Sequence, residues 1–193
     1  MRLVNHTIAE RNRDYCHHLT ESLDKLGIQH LVVHGAGAKG LKVDFWKYIP
    51  ADHEGAVLFL DADTRFSPDF VMPDFGGDDI LGVDVMDFTG TSVRWSDFHL
   101  KCGAEQTAEY NDLIAINSGA IFFRNKEVAI RVGKKWSDIF PHDLPSAMDE
   151  MSLRVAMRDE KVRLLPRTYN HTRDPDALIF HNTKKDSYET SSN

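Results

Sequence analysis

Residues 56–66 read AVLFLDADTRF, and this stretch decides the fold. Five apolar residues in a row after Gly55 are typical of a strand that is buried on both faces, as in a parallel sheet. The run ends in two carboxylates, Asp61 and Asp63. Ligands of open α/β sheets bind at the carboxyl ends of the strands, and strand residues two apart point to the same side. Both aspartates can therefore face one ligand.

Two convergent carboxylates form a hard, oxygen-rich site that suits Mg²⁺ or Mn²⁺ carrying phosphates. Aspartate is also common where a turn follows a strand. However, two like charges at the mouth of a buried strand, with no basic residue before Arg65, are costly unless a cation joins them. We therefore predict a metal site at Asp61 and Asp63.

Length and composition fit one globular domain, with 193 residues of which 41% are hydrophobic and 27% charged. We expect the domain over residues 1–181 and a polar tail over 182–193. No apolar run is long enough for a transmembrane segment, and the N-terminus lacks the pattern of a signal peptide. Cys16 and Cys102 are too few and too far apart for a disulfide framework, so we expect reduced thiols and a cytoplasmic protein.

The net charge of −7 is unevenly distributed. Residues 51–112 contain three Lys or Arg against fourteen Asp or Glu. The acidic residues therefore surround and follow the aspartate pair. This pattern favours a cation over nucleic acid as the nearest partner.

Strand-like and helix-like segments alternate along the chain. We predict a short first strand at residues 1–4, a polar turn at 5–7, and a helix from about Ile8 to Leu26 that stops at Gly27. A helix-start signal occurs at residues 67–69. Further strands are predicted at 28–34, 80–86, 114–123, 162–165 and 178–180, and further helices at 45–49, 128–140 and 148–155. This alternation predicts an α/β domain with a mostly parallel central sheet flanked by helices.

Two segments between these elements are candidates for ligand contact. The glycine-rich loop at residues 35–40 lacks the ending of a Walker loop, and within it Lys39 is a candidate phosphate contact. Residues 87–112 are polar and aromatic, and an excursion of that length is usually functional or mobile. We predict that it is an acceptor-side or lid loop.

Five pieces of the chain, in family order, resemble the GT-A nucleotide-diphospho-sugar glycosyltransferases, which have a Rossmann-like fold. Residues 57–63 look like the DxD strand of that superfamily, and residues 117–125, which begin Asn-Ser-Gly, look like the apolar strand that follows. The remaining matches are an acidic helix start at 149–150, a Leu-Pro-x-x-Tyr-Asn segment at 165–170, and a strand that ends in histidine at 179–181. The pattern is closest to retaining members similar to glycogenin and bacterial galactosyltransferases.

The resemblance implies a role for each matched residue. Asp61 would contact the donor ribose and the metal, while Asp63 and His181 would ligate the metal. The ion, Mn²⁺ or Mg²⁺, would neutralise the leaving nucleoside diphosphate, and Lys184 or Lys185 could assist it.

Other matched residues would contact the sugar or the acceptor. Asn117 is polar inside an apolar strand, where an unpaired amide is costly. We therefore expect Asn117 to face the site beside Ser118, although a structural hydrogen bond would explain it equally well. One of Asp149 and Glu150 would orient the acceptor hydroxyl, act as a base or stabilise the sugar cation, unless the pair only complements the helix dipole.

The expected function is metal-dependent transfer of a sugar from a nucleoside diphosphate, with UDP the expected nucleotide, to a carbohydrate or small-molecule hydroxyl. The same transferase acting on a nucleobase hydroxyl of phage DNA ranks lower, because the basic residues of the last third are interleaved with acidic ones. A haloacid-dehalogenase-type phosphatase and a non-catalytic sugar-nucleotide-binding domain are the remaining alternatives. The sequence leaves the sugar, the acceptor and the oligomeric state open.

Overall fold

A computed structural model describes residues 4–9, 13–34, 42–85, 113–140, 149–172, 174 and 176–181. The strands are β1 (Val4–Ala9), β2 (His30–His34), β3 (Val57–Asp61), β4 (Thr64–Phe66), β5 (Ile80–Asp84), β6 (Ile116–Phe123), β7 (Val162–Leu165) and β8 (Ile179–His181). The α-helices are α1 (Arg13–Lys25), α2 (Lys126–Ile139) and α3 (Asp149–Ala156), and short 3-10 helices cover Phe45–Tyr48 and Arg167–Tyr169.

The central sheet has six strands in the order β2-β1-β3-β6-β5-β7. Strand β1 is parallel to β2 and β3, and β5 is parallel to β7, whereas β6 is antiparallel to both β3 and β5. In this sheet β6 alone therefore runs against the common direction. This confirms the predicted α/β fold with a mostly parallel sheet. A separate antiparallel pair joins β4 to β8.

Helices pack on both faces of this sheet. On one face, α2, α3 and the first 3-10 helix cover a core that includes Phe45, Phe59 and Trp136. On the other face, α1 contributes Leu19 and Leu23 to a second core. The apolar residues of β3 and β6 alternate between the two cores, which explains why both strands are buried along almost their whole length.

The beginning of the chain differs from the prediction. Residues 5–7, predicted as a turn, lie inside β1, and α1 begins at Arg13 rather than near Ile8. Their polar side chains suggested a loop, but β1 pairs along its backbone with a strand on each side. Those two ladders outweigh side-chain preference. The helix stop at Gly27 is confirmed, since this residue has a φ of +66°.

The helix expected after residues 67–69 is also wrong. The backbone makes one turn, in which the Phe70 amide donates to Ser67 O at 3.1 Å, and then continues without a helix to β5. Pro73 follows closely and disfavours helical backbone at the residue before it. The Phe70 ring packs instead against Phe66, with ring centroids 4.6 Å apart.

Several predictions lie outside the described residues, namely the 35–40 loop, the 87–112 segment and the 182–193 tail. In the part of the chain that is described, no helix has both the length and the apolar character needed to cross a membrane.

Candidate active site

The aspartate pair lies where β3 ends and β4 begins. Asp61 is the last residue of β3, and the Thr64 hydroxyl donates to the Asp61 carbonyl at 2.8 Å, which closes the turn that carries Asp63. Strand β8 pairs with β4 in a register that sets His181 opposite Thr64. The pairing of β4 with β8 therefore brings the histidine to the two aspartates.

These three side chains converge on one point. His181 Nε2 lies 3.1 Å from Asp63 Oδ1 and 3.8 Å from Asp61 Oδ2. One ligand atom from each residue lies within 4.8 Å of the other two, so the group could hold a metal ion. Two carboxylates and an imidazole are a donor set that fits Mn²⁺ or Mg²⁺. The predicted ligands are thus together in space.

A glycine makes room for the histidine. A Cβ built on Gly119 would lie 2.1 Å from His181 Cε1 and 2.6 Å from His181 Nδ1. No other residue fits at position 119 while His181 keeps its place. The third residue of the Asn-Ser-Gly segment must therefore be glycine, because any side chain there would collide with His181.

Lys42 is a site residue that the sequence prediction missed. Its ammonium lies 3.0 Å from Asp61 Oδ2 and 2.5 Å from Asp149 Oδ2, and it donates to Ser118 Oγ at 2.9 Å. The Ser118 hydroxyl in turn donates to Asp149 Oδ2 at 2.9 Å. One cation therefore links Asp61 to Asp149 at the start of α3. The only local signal is a lysine directly before the buried Val43.

Burial and charge determine how this cluster titrates. Burial alone would lower the pKa of the Lys42 ammonium, but the charges of Asp149 and Asp61 raise this pKa above its ordinary value. Burial would raise the pKa of Asp149, yet Lys42 and the hydrogen bonds to this carboxylate hold it well below the usual range. The pKa of Asp61 is raised, because burial outweighs the opposing effect of the Lys42 ammonium.

The two acidic residues of α3 have different environments. The carboxylate of Asp149 is anchored by Lys42 and Ser118, and its carbonyl accepts a hydrogen bond from Trp136 Nε1 at 3.1 Å. Burial and the adjacent charge of Asp149 raise the pKa of Glu150 to about 7. Asp149 is therefore an ionised carboxylate, while Glu150 can exchange a proton near neutral pH.

Asn117 lies beside this cluster and is almost fully buried. Its Oδ1 accepts hydrogen bonds from the Gly119 amide at 2.9 Å and from Asn170 Nδ2 at 2.8 Å. This is the kind of structural bonding considered above, and a contact with the sugar or acceptor stays a prediction. The predicted phosphate contacts Lys39, Lys184 and Lys185 lie outside the described residues.

Neither models of protein families nor the curated proteins give a match to this sequence. In fold, however, the chain is similar to a solved glycosyltransferase. That structure is the apo form of GlyE from Streptococcus pneumoniae TIGR4, with a TM-score of 0.60 and 13% sequence identity. The alignment covers 96% of this chain and 55% of GlyE, so the chain spans about half of that protein. At this identity the likeness shows the fold alone.

Proposed function

We propose that this chain is a metal-dependent glycosyltransferase of the DxD type that uses a nucleoside-diphosphate sugar, with UDP as the expected nucleotide. One observation carries the proposal: Asp61, Asp63 and His181 converge at the carboxyl end of β3. They do so in a fold similar to that of a glycosyltransferase, at the end of the strands where α/β proteins bind ligands.

Asp61, Asp63 and His181 would hold Mn²⁺ or Mg²⁺, which supplies positive charge to the leaving diphosphate. The reaction breaks the bond between the anomeric carbon and the diphosphate oxygen and forms one to the acceptor oxygen. The acceptor hydroxyl loses its proton. The resemblance to glycogenin-like enzymes favours retention of the anomeric configuration.

Glu150 is the better candidate for taking up that proton. A general base works best when its pKa is near the working pH, and the pKa of Glu150 is about 7. Asp149 is held ionised by Lys42, so its role would be to orient the acceptor or to stabilise positive charge on the sugar. This assignment separates two residues that the sequence left equivalent.

The basic residues of the last third offer little support for a DNA acceptor. Several of them are already paired with acidic side chains, which reduces the net charge that a phosphate backbone would meet. These pairs are Arg131 with Glu160, Lys135 with Asp159, and Arg163 with Asp78. A carbohydrate or small-molecule hydroxyl is the preferred acceptor.

The first test is a thermal-shift panel of UDP, GDP, CDP, ADP and TDP, each with and without Mn²⁺. A nucleotide present at about 100 times its Kd should raise Tm by roughly 5–10 °C, and only when the metal is present. Slow hydrolysis of the matching sugar nucleotide would then distinguish an enzyme from a binding domain. If no nucleotide stabilises the protein, the proposal is overturned. Phosphate release from a phosphomonoester without nucleotide would also overturn it and would favour a phosphatase.

A further inference from the structure

A chain of hydrogen bonds runs from the backbone of β6 to His181. The Gly119 amide donates to Asn117 Oδ1 at 2.9 Å, and Asn170 Nδ2 donates to the same oxygen at 2.8 Å. The other end of the Asn170 amide, Oδ1, lies 3.2 Å from His181 Nδ1. Asn170 is fully buried, and Asn117 and His181 are nearly so.

The backbone amide fixes the direction of every bond in this chain. Because a peptide N–H can only donate, the Asn117 atom that faces Gly119 must be its oxygen. The Asn170 atom that faces this oxygen must then be the nitrogen, which leaves the Asn170 oxygen directed at the imidazole. An amide oxygen only accepts, so His181 Nδ1 must carry the proton.

We propose that Asn170 is a positioning residue that holds His181 in the tautomer protonated on Nδ1. In the neutral imidazole the lone pair is then on Nε2, the nitrogen that lies 3.1 Å from Asp63 and 3.8 Å from Asp61. A metal-ligating imidazole needs its lone pair on the metal side and a hydrogen-bond acceptor on the other side. This inference rests on the proposed metal site, and it adds a residue and a proton location to that site.

The backbone around Asn170 keeps it in reach of the histidine. The His171 amide donates to Ile179 O at 3.1 Å, and the His181 amide donates to His171 O at 3.0 Å. These bonds fix the segment after the second 3-10 helix against β8. Asn170 and His181 therefore belong to one rigid unit, and a change of side chain at position 170 acts on the imidazole rather than on its distance from Asp63.

The test compares Asn170→Leu, which removes both hydrogen bonds, with Asn170→Asp, which keeps an acceptor for Nδ1–H and loses the donor to Asn117. Long-range ¹H–¹⁵N spectra report the tautomer of His181, and titration with Co²⁺ gives the metal affinity. Asn170→Leu should lose the Nδ1–H signature and weaken Co²⁺ binding by about 10- to 100-fold. Asn170→Asp should keep both properties while lowering Tm.

Asn125→Ala is the matched control, because it removes the bond from the Val128 amide to Asn125 Oδ1 at the start of α2. It should lower Tm and leave the Co²⁺ affinity unchanged. Wild-type protein with its His181 proton on Nε2, or a folded Asn170→Leu variant that binds Co²⁺ like the wild type, would overturn the inference. If wild-type protein binds no divalent metal, the proposed function fails. The tautomer spectra of wild-type protein decide the location of the proton even when Asn170→Leu does not fold.

Discussion

Gly119 and His181 are packed so closely that a Cβ on Gly119 would lie 2.1 Å from His181 Cε1. The contact joins β6, the antiparallel strand of the sheet, to β8, which carries the histidine. Pairing of β8 with β4 sets His181 opposite Thr64, and the imidazole lies against Gly119 and 3.1 Å from Asp63 Oδ1. The position of this proposed metal ligand thus depends on the absence of a side chain at residue 119.

Gly119→Ala should therefore displace His181 and weaken metal binding more than it weakens the fold. Crowding a packed site typically costs about 1–3 kcal/mol. Losing a hydrogen-bond partner of a metal ligand typically lowers metal affinity by about 10- to 100-fold. Displacing the ligand itself should cost no less, so we expect the affinity for Mn²⁺ to fall by at least about 10-fold. Calorimetric titration of Mn²⁺, with Tm measured on the same sample, checks this expectation.

Gly82→Ala provides a matched steric control. Its added Cβ would lie 2.8 Å from Ile116 Cδ1, and its nearest neighbours are all atoms of Ile116. The control variant should lose stability and keep the wild-type affinity for Mn²⁺. Equal metal affinity in the two variants would show that position 119 does not control the histidine.

Asp63→Asn tests the metal assignment with little change in shape. The amide keeps nearly the same shape beside His181 Nε2 but removes the charge that attracts a divalent ion. We expect the increase in Tm that Mn²⁺ and UDP produce together to disappear. Asp69→Asn removes a charge from an exposed side chain nearby and should leave that increase intact. A wild-type response from Asp63→Asn would exclude Asp63 as a ligand.

Lys42→Met should make the protein less stable and its metal site stronger. Removing one partner of a buried charge pair typically costs about 3–5 kcal/mol, and both Lys42 and Asp149 have only 12% of their side chains exposed. The same change removes a cation 3.0 Å from Asp61 Oδ2. Mn²⁺ should therefore bind more tightly and raise Tm by more than it does in the wild type.

The exposed Lys47 gives the control for this lysine. It pairs with Asp44 at 2.7 Å, and surface pairs of this kind contribute about 1 kcal/mol or less. Lys47→Met should lower the free energy of unfolding by about 1 kcal/mol at most. It should leave the Mn²⁺ affinity unchanged. Weaker Mn²⁺ binding in Lys42→Met would mean that the lysine helps the metal site rather than competing with it.

The sequence predicted those strands whose own residues mark them, such as β3. Strand β3 is a continuous apolar run that ends in carboxylates, and both features lie within one stretch of chain. Strand β1 was not predicted correctly, because its place comes from backbone pairing with β2 and β3 rather than from its side chains. The sheet supplies information that no short window contains.

The same reasoning explains which site residues the sequence could reveal. Asp61 and Asp63 are adjacent to a recognisable strand, and His181 has its place in an ordered set of motifs. Lys42 bonds to Ser118, a residue 76 positions away, so only the fold brings them together. The role of Asn170 likewise depends on the direction of three hydrogen bonds, which exists only in three dimensions.

Glu150 should make the protein less stable as the pH rises toward 7. Its pKa is raised from an ordinary 4.5 to about 7 by burial and by the charge of Asp149. Between pH 4.5 and about pH 7 the native state keeps a proton on Glu150 that the unfolded chain has lost. The stabilisation that Glu150 provides is therefore complete below pH 4.5 and is lost as the pH rises through about 7. One proton allows a slope of at most about 1.4 kcal/mol per pH unit.

Glu150→Gln removes this proton while keeping an amide that can donate to Asp149. The free energy of unfolding, measured in urea from about pH 5 to about pH 8, should fall less steeply in the variant than in the wild type. Asp149 does not contribute to the difference, because its lowered pKa acts around and below 3.8, and Asp61 is present in both proteins. Glu54→Gln, at an exposed position, should follow the wild-type curve. If the curve of Glu150→Gln also runs parallel to the wild-type curve, Glu150 does not titrate in this pH range and is not the proton acceptor that we propose.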